Sequence, residues 1–178
     1  MRVIGGEFRS RRLKTLPGIE TRPTPDRLRE TLFNVLAPII EGAVFIDAYA
    51  GTGSVGIEAL SRGARRAIFV ERSRAAVEII RDNLAALGLD SRAEVFTGKA
   101  TVILERLKAD IVFLDPPYEK AVEYDSALST LGAAPASGRV IVQHSSRVEL
   151  KEEYGSLRRY RVLKQGNNAL SFYGTAMA

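Results

Sequence analysis

The four residues Asp115-Pro116-Pro117-Tyr118 have types and an order that suit chemistry on the amine of a nucleobase. They follow the apolar run Ile-Val-Phe-Leu, which predicts that they leave a strand at its carboxyl end. An exocyclic amine is a poor nucleophile because its lone pair is delocalised into the ring. The Asp115 carboxylate and the Pro116 carbonyl could accept its N–H hydrogens and orient that lone pair, while the prolines fix the turn. Tyr118 would then stack on a base taken out of its helix.

The stretch from Val44 to Gly56 joins an apolar run ending in Asp47 to a glycine-rich turn and then to a helical pattern. Such a strand–loop–helix unit presents a nucleotide-like ligand at the carboxyl end of a strand. The spacing Gly51-x-Gly53-x-x-Gly56 also fits a dinucleotide fingerprint. However, the Asp47 carboxylate would repel a pyrophosphate and attract a cationic ligand end, such as the ammonium and sulfonium of S-adenosylmethionine. The unit therefore favours S-adenosylmethionine over a dinucleotide.

An acidic residue follows the next predicted strand, which spans residues 67–70. This residue, Glu71, comes about 20 positions after the first glycine, where an acid accepts hydrogen bonds from ribose hydroxyls. An adenosyl cofactor and a nicotinamide cofactor would use it equally, so Glu71 does not separate the two.

Strands and helices alternate from residue 44 onward, which predicts an α/β fold with a mostly parallel sheet covered by helices on both faces. Further strands are predicted at 93–97, 110–114 and 139–142, and an antiparallel pair at 157–162 and 170–173 closes the sheet. Helices are predicted at 54–62, from a Ser73 cap to Gly88, near 102–107 and near 122–131. The glycine loop and Asp115 should therefore meet at one carboxyl edge.

The first forty residues form an N-terminal extension. Residues 2–4 and 12–16 predict a β-hairpin, and Thr24 is expected to cap a helix that Pro25 begins. We therefore divide the chain into an extension, residues 1–40, and a core, residues 41–178. The apolar face of the predicted helix carries Leu28, Leu32, Phe33, Val35 and Leu36.

Positive charge is concentrated in this extension. The chain has 26 Lys and Arg and 21 Asp and Glu, a net charge of +5. Eight basic and three acidic residues fall between Met1 and Arg29, so the rest of the chain is balanced. Clustered charge of this kind indicates a phosphate-rich partner. The candidate RNA contacts are Arg9, Arg11, Arg12 and Arg22.

The amino-acid composition excludes several classes of protein and of metal site. The 178 residues, 46% hydrophobic and 26% charged, suit one soluble domain, and no apolar run approaches the roughly 20 residues of a membrane span. The first residues lack the apolar stretch of a secretory signal. The chain has no cysteine and one histidine, which excludes disulfides and multi-histidine or cysteine metal sites. We expect a cytoplasmic protein without a metal, in which His144 is structural.

Together these motifs resemble class I S-adenosylmethionine-dependent methyltransferases with an Asn/Asp-Pro-Pro-Tyr/Phe amino-methylation motif. Arg2-Val-Ile-Gly-Gly, Arg22-Pro-Thr-Pro-Asp-Arg-Leu-Arg-Glu-Thr-Leu-Phe-Asn34, residues 47–63 and Asp115-Pro-Pro-Tyr118 are similar, more narrowly, to the bacterial 16S ribosomal RNA guanine-N2 methyltransferases of the RsmD type. The resemblance covers nearly the whole chain. It implies a Rossmann-like, seven-stranded core sheet with an N-terminal hairpin and helix that help to grip RNA. It also implies S-adenosylmethionine as cofactor, small-subunit ribosomal RNA or the assembling 30S subunit as partner, and a monomer.

The resemblance also implies a role for each site residue. One residue departs from the family pattern: Lys99 stands where such enzymes often have Asp or Asn, and its ammonium cannot accept from the adenine amine. Adenine recognition is therefore expected at the backbone of Ala100. The implied contacts are Asp47, Ala48, Gly51, Thr52 and Gly53 to the methionine part, Glu71 to the ribose, Gly98 to Ala100 to the adenine and Asp115 to Tyr118 to the guanine, with Arg72 also in the cofactor set.

Three other functions stay open on the sequence alone. A DNA adenine or cytosine amino-methyltransferase shares the Asp-Pro-Pro-Tyr chemistry, but only about forty residues follow the predicted parallel strands, too few for a separate recognition domain. A nucleotide-dependent oxidoreductase, or an RNA-binding module without catalysis, would leave residues 115–118 without a purpose. Methyl transfer needs no dedicated general base, because the attacking nitrogen can lose its proton afterwards to Asp115 or to water.

Overall fold

A computed structural model describes residues 1–17, 24–117, 121–133 and 138–175. Within these ranges, eight strands form one sheet, in which the first five are parallel and the last three are antiparallel to their neighbours. The strands are β1 (Val44–Ala48), β2 (Arg66–Glu71), β3 (Ala93–Thr97), β4 (Ile111–Leu114), β5 (Arg139–Ser145), β6 (Glu153–Tyr154), β7 (Leu157–Gln165) and β8 (Asn168–Thr175). Their order is β3-β2-β1-β4-β5-β8-β7-β6. The expected count was seven, and the additional strand is β6, a two-residue edge strand.

Helices cover both faces of the sheet, which confirms the predicted α/β architecture. They are α1 (Asp26–Ile40), α2 (Ser54–Ser61), α3 (Arg74–Ala86), α4 (Ala100–Ile103) and α5 (Ala121–Ala133). Residues of α1, α2 and α3 pack with Phe45 and Phe69 on one face, while α4 and α5 pack with Ile46 and Val112 on the other. None of the helices within the described ranges has the length and apolar character needed to cross a membrane.

Helix α2 lies very close to the sheet because it contains Gly56. A Cβ at this position would come within 2.3 Å of the Phe69 ring on β2. Since Phe69 is fully buried, the ring has no room to move away. The glycine therefore sets how near the helix that follows the glycine-rich loop can approach the strands.

Several local predictions can be compared with the structure. Ser73 caps α3, accepting from the Ala76 N–H at 3.3 Å, as expected. Thr24 does not cap α1: the N-cap position is Pro25, and the Thr24 hydroxyl instead donates to Gln143 Oε1 at 3.1 Å. Tertiary contact with the end of β5 thus replaces the local cap. Helix α4 begins at Ala100, two residues before the predicted start. Four predicted residues of the α1 apolar face are buried, Leu28, Leu32, Phe33 and Leu36, and Val35 is half-buried.

The first 17 residues, called here the N-terminal arm, form a hairpin with a single antiparallel bridge, between Arg2 and Arg12, in place of two predicted strands. Side chains of α2 hold the arm. The fully buried Glu58 carboxylate accepts from the N–H groups of Ile4 and Gly5, both at 2.9 Å. Ser61 Oγ accepts from a further arm N–H and donates to an arm carbonyl. The arm is thus attached by hydrogen bonds to buried groups, so its position relative to the core is fixed.

Arg29 of α1 joins the arm and α2 from the other side. Its side chain is fully buried, and Nη2 donates to the Arg2 carbonyl at 2.7 Å and to Asp26 Oδ1 at 3.1 Å. Its Nε lies 3.8 Å from Glu58 Oε1 and has no hydrogen-bond partner among the described residues. Burial lowers the pKa of Arg29, and the charges of Glu58 and Asp26 oppose this shift. Arg29 therefore contributes to the basic count of the extension but not to its accessible charge.

Candidate active site

The carboxyl ends of β1, β2 and β4 lie side by side, because Ala48 pairs with Val70 on one side and with Leu114 on the other. The loops that follow these strands contain the glycine-rich turn, Glu71 and Asp115. The structure therefore confirms the prediction that the glycine-rich turn and Asp115 lie at one carboxyl edge of the sheet. We treat this edge as a single candidate site.

Glu71 connects two of these loops. Its Oε1 accepts from the Gly51 N–H at 2.8 Å, and its Oε2 accepts from the Ser73 N–H at 2.7 Å. The Gly98 N–H, after β3, donates to the Glu71 carbonyl at 3.0 Å. Glu71 is half-buried, and each carboxylate oxygen keeps a lone pair for a further donor. Its predicted role toward ribose hydroxyls stays a prediction, to which the structure adds a role in shaping the loop.

Asp47 is almost fully buried, with 2% of its surface exposed, and lies between β2 and β4 in the centre of the sheet. Its Oδ2 accepts from the Gly56 N–H in the first turn of α2 at 2.9 Å. Burial raises the pKa of Asp47 well above the ordinary range, and the charges of Asp115 and Glu71 raise it further, while the Gly56 hydrogen bond lowers it. The Asp47 carboxyl group thus lies near two other carboxyl groups, and a cation placed beside it would stabilise its charged form.

Three residues of the glycine-rich turn, Tyr49, Gly51 and Gly53, have left-handed backbone conformations. Gly53, the N-cap of α2, has φ +86°, which glycine adopts without strain. Tyr49 has φ +60° although it carries a side chain, a conformation that costs about 1–2 kcal/mol. Strain of this size persists only where surrounding contacts hold the residue in place.

The Tyr49 hydroxyl donates to Glu123 Oε2 of α5 at 2.6 Å. Burial and the Glu123 carboxylate raise the pKa of Tyr49, so the phenol stays a donor at every practical pH. Helix α5 is the first element after residues 115–118, and this bond ties its first turn to the turn after β1. The bond thereby links the two motifs of the site across the end of the sheet.

The Tyr49 bond gives a first prediction. Tyr49→Phe leaves the Glu123 carboxylate half-buried without its donor, which should lower the free energy of unfolding by about 1–3 kcal/mol. Urea titration of Tyr49→Phe, Glu123→Ala and the double variant would measure it. The double variant should lose clearly less than the sum of the singles, because the second change removes a group that already has no partner. Strict additivity would mean that the bond contributes nothing.

Asp115 and Pro116 follow β4 directly. Burial raises the pKa of Asp115 to about 7, so this carboxyl is balanced between acid and carboxylate near neutral pH. Pro116 is buried, and its carbonyl accepts a long hydrogen bond, 3.5 Å, from the Tyr124 hydroxyl of α5. Pro117 is exposed. The fourth residue of this motif, Tyr118, lies outside the described residues.

The remaining predicted cofactor contacts surround the same edge. Ala48 is buried at the end of β1, and Thr52 is half-buried in the turn. Arg72 is exposed immediately after Glu71. Lys99 is exposed at the N-cap position of α4, and Ala100 is buried behind it. Their contacts with a cofactor stay predictions.

The arm presents its arginines to solvent. Arg9, Arg11 and Arg12 are exposed, while Arg22 lies outside the described residues. Asn83 of α3 connects the arm with the turn after β1: its amide accepts from the Lys14 N–H at 2.7 Å and donates to the Thr52 carbonyl at 3.2 Å. Nothing in the local sequence around Asn83 indicates this role, because both of its partners are distant along the chain. A buried asparagine on an otherwise apolar helix face is the one signal available.

His144 is buried, and each ring nitrogen has a partner within the protein, the Ser145 carbonyl or the Ser171 hydroxyl, both at 2.8 Å. This agrees with the structural role expected from the sequence. Across the part of the chain that the structure describes, no three acidic, histidine or cysteine side chains converge in a way that would hold a metal ion.

Comparisons with known proteins extend over almost the whole chain. The family model described as conserved hypothetical protein 95 matches residues 1–174. The Bacillus subtilis protein YlbH is 36% identical over 182 residues, which cover 97% of this chain and 98% of YlbH. The Escherichia coli K12 protein named Ribosomal RNA small subunit methyltransferase D is 40% identical over 123 residues, covering 68% of this chain and 62% of that protein. The solved structure of yhhF from Escherichia coli has a TM-score of 0.86 at 33% identity and covers 98% of this chain and 97% of its own.

Proposed function

The chain belongs to the family of conserved hypothetical protein 95 and is a methyltransferase, and on that premise we propose that it transfers a methyl group from S-adenosylmethionine to the N2 amine of a guanine in small-subunit ribosomal RNA. Its fold is the class I methyltransferase fold that the sequence resemblance implied. The proposal covers the donor, the base and the RNA, and it places the reaction in the cytoplasm, where ribosomal subunits assemble.

One observation carries the proposal. The glycine-rich turn with Glu71 and the Asp115-Pro116 pair leave neighbouring parallel strands at the same edge. A cofactor held by the first group and an amine held by the second would therefore meet across one strand spacing, about 5 Å. Proximity and orientation are the main needs of a transfer whose donor is already activated.

The residues present fit S-adenosylmethionine. Gly51 faces open space: apart from its chain neighbours, a Cβ built on it meets no atom of the described residues within 4 Å, so a ligand could approach the backbone of the turn there. Asp47, Glu71 and Asp115 make this region acidic, which suits an ammonium and a sulfonium and disfavours a pyrophosphate. The acidic surroundings thus favour an adenosyl-sulfonium cofactor over a dinucleotide.

The chemistry that the cofactor supplies is an electrophilic methyl group; the remaining work belongs to the chain. The Asp115 carboxylate and the Pro116 carbonyl accept the two N–H hydrogens of the guanine amine, which turns its lone pair toward the methyl. Tyr124, through its bond to the Pro116 carbonyl, holds that acceptor in place. After transfer, Asp115, whose pKa of about 7 suits the task, can take the proton that the nitrogen releases.

Labelling tests the proposal directly. The protein is incubated with tritiated S-adenosylmethionine and small subunits, or naked 16S ribosomal RNA, from a strain that lacks the enzyme, and the labelled nucleoside is mapped. N2-methylguanosine is the expected product. Label in DNA, or tight NAD binding with no S-adenosylmethionine binding by calorimetry, would overturn it.

The arm gives a second prediction, for RNA binding. Replacing Arg9, Arg11 and Arg12 with Ala should lower RNA affinity and flatten its log–log salt dependence by up to about 2 units, because each phosphate contact to a single strand contributes about 0.7. Affinity for S-adenosylmethionine should not change, since these side chains are exposed and the short hydrogen bonds that hold the arm come from its backbone. The Arg11 guanidinium adds a long hydrogen bond, 3.5 Å, to the Ala86 carbonyl of α3.

A control removes two exposed cations that precede β4 and lie on the other face of the sheet from the arm, Arg106 and Lys108. This control should keep the wild-type slope. If the arm variant also keeps it, the arginines of the arm form a solvated surface and the RNA site lies elsewhere.

A further inference from the structure

We propose that strand β7 is a second RNA-binding surface, which contacts phosphates of the same RNA whose target base lies at Asp115. The inference rests on the proposed function, because it assumes an RNA substrate. The proposed surface belongs to the core and is distant in sequence from the N-terminal arm, whose arginines are the RNA contacts proposed above.

Strand β7 is strongly basic. Its nine residues, Leu-Arg-Arg-Tyr-Arg-Val-Leu-Lys-Gln, include four cations and no acid. Arg158 is exposed and lies 3.7 Å from Glu153. Arg161 and Lys164 are exposed too, and neither forms an ion pair with any other described residue. The core contains 18 basic and 17 acidic residues, so this strand is a local concentration of charge that the total conceals.

The position of β7 relates it to the active site. Gln165, its last residue, pairs with Asn168 of β8, which pairs with Ser145 at the carboxyl end of β5. That end lies beside β4 and hence beside Asp115. Three strand spacings separate β4 from β7, about 14 Å. Arg161 and Lys164 are three positions apart, so their side chains leave opposite faces of β7, on either side of its outer edge. An RNA strand with its target base at Asp115 would lie within a few nucleotides of Lys164 and could continue along that outer edge past Arg161.

One exposed aromatic side chain, Tyr160, lies among these cations. Tyr160 is 51% exposed, and Arg139 donates to its hydroxyl at 3.0 Å while lying 5.3 Å from the ring centroid. The Arg161 guanidinium lies 5.9 Å from the Phe172 ring. Phe172 is itself buried, so Tyr160 is the ring of this pair that a base could reach. An exposed ring beside cations is typical of surfaces that bind single-stranded nucleic acid, because a base stacks on the ring and phosphates pair with the charges. This combination favours RNA over an acidic protein as the partner.

Strand β7 also has a plain alternative explanation. Its outer edge is covered by β6 only at Leu157 and Arg158. Charged residues on such an edge prevent pairing with other chains, without any ligand. Charge for solubility and charge for phosphate contacts differ in one measurable respect, which is the salt dependence of RNA binding.

The test compares two variants of equal charge. Arg161→Gln with Lys164→Gln removes two cations from β7 and keeps most of the side-chain length. Arg106→Gln with Lys108→Gln removes two exposed cations just before β4. The probe is unmodified 16S ribosomal RNA, and affinity is measured by filter binding from 50 to 200 mM salt, with thermal unfolding and S-adenosylmethionine affinity as checks of the fold.

The β7 variant should lose about 1.4 units of salt slope. Over this fourfold range of salt, its affinity should fall about 7-fold less than that of the wild type. The control should behave as the wild type does. An unchanged β7 slope, or an equal loss in both variants, would overturn the inference, and so would a β7 defect seen only with assembled subunits, since that would indicate a protein partner. Failure of the wild type to methylate any RNA would instead overturn the proposed function.

Discussion

Asp115→Ala should abolish methyl transfer, lowering turnover by on the order of 10³-fold or more, while leaving affinity for S-adenosylmethionine within a few-fold of wild type. The reason is that Asp115 is the acceptor that orients the target amine, whereas the turn after β1 is held by Asp47 and Glu71 through their own hydrogen bonds. Single-turnover methylation of 16S ribosomal RNA, together with calorimetry for the cofactor, separates the two effects. Near-normal methylation by Asp115→Ala would show that another group holds the amine.

Asparagine makes the matched control at this position. Asp115→Asn keeps a carbonyl acceptor of the same length, and the related amino-methylation motif accepts Asn in this place. We therefore expect Asp115→Asn to retain more activity than Asp115→Ala. Loss of activity to the same degree in both would mean that the charge of the carboxylate, and not its acceptor geometry, is what the reaction needs.

The pH dependence of the reaction gives a related prediction. Burial raises the pKa of Asp115 to about 7, and only the carboxylate, which is present above that pKa, accepts with both oxygens. Wild-type kcat/KM, which reports the free enzyme, should therefore rise with pH through about 7. A bound cationic cofactor favours the carboxylate form of Asp115. The corresponding rise of kcat with pH, the acidic limb of its profile, should therefore lie at lower pH than that of kcat/KM.

Asp115→Asn should lack this limb, because an amide does not titrate. If the limb persists in Asp115→Asn, it belongs to another group of the site. Asp47 would be the first to consider, since burial also raises its pKa.

Glu58→Ala should destabilise the fold by about 3–5 kcal/mol, the second large effect that we expect. Glu58 is completely buried, accepts from the N–H groups of Ile4 and Gly5, and accepts from Arg62 Nε at 2.8 Å. Its removal also leaves Arg29, equally buried, without its nearest charge on α2. Denaturant titration measures the loss, and limited proteolysis of the arm should become faster.

Two variants sharpen this measurement. Glu78→Ala removes an exposed glutamate from α3 and should change stability by no more than about 0.5 kcal/mol. The double variant Arg29→Met with Glu58→Gln removes both buried charges. Its loss of unfolding free energy should therefore be smaller than the sum of the losses of the single variants Arg29→Met and Glu58→Gln. A loss below about 1 kcal/mol in Glu58→Ala would mean that the arm is not held by this carboxylate.

The sequence by itself determined the order of elements and the composition of the site. Each depends on short-range patterns: an apolar run of strand length, a glycine turn before a helix, and a proline pair after a buried strand. Asp47, Glu71 and Asp115 could be assigned to one edge for this reason, since parallel strands joined by helices end on the same side. Ser73 was predictable as a cap because its partner is three residues away.

Only the tertiary structure decided which polar groups hold the site together. Tyr49 and Glu123 are 74 positions apart, and Ile4 and Glu58 are 54 apart, so no local pattern connects them. The sequence counted Arg29 with the accessible cations, although it is buried, and it suggested a cap for Thr24, whose hydroxyl instead bonds Gln143 across the fold. The charge count of the sequence did not single out the cations of β7, because acidic residues elsewhere in the core offset them in the total. Residue types and their spacing determine the local geometry of the chain. The burial of a side chain and its hydrogen-bond partners depend instead on the elements that pack against it, and these come together only when the sheet is assembled.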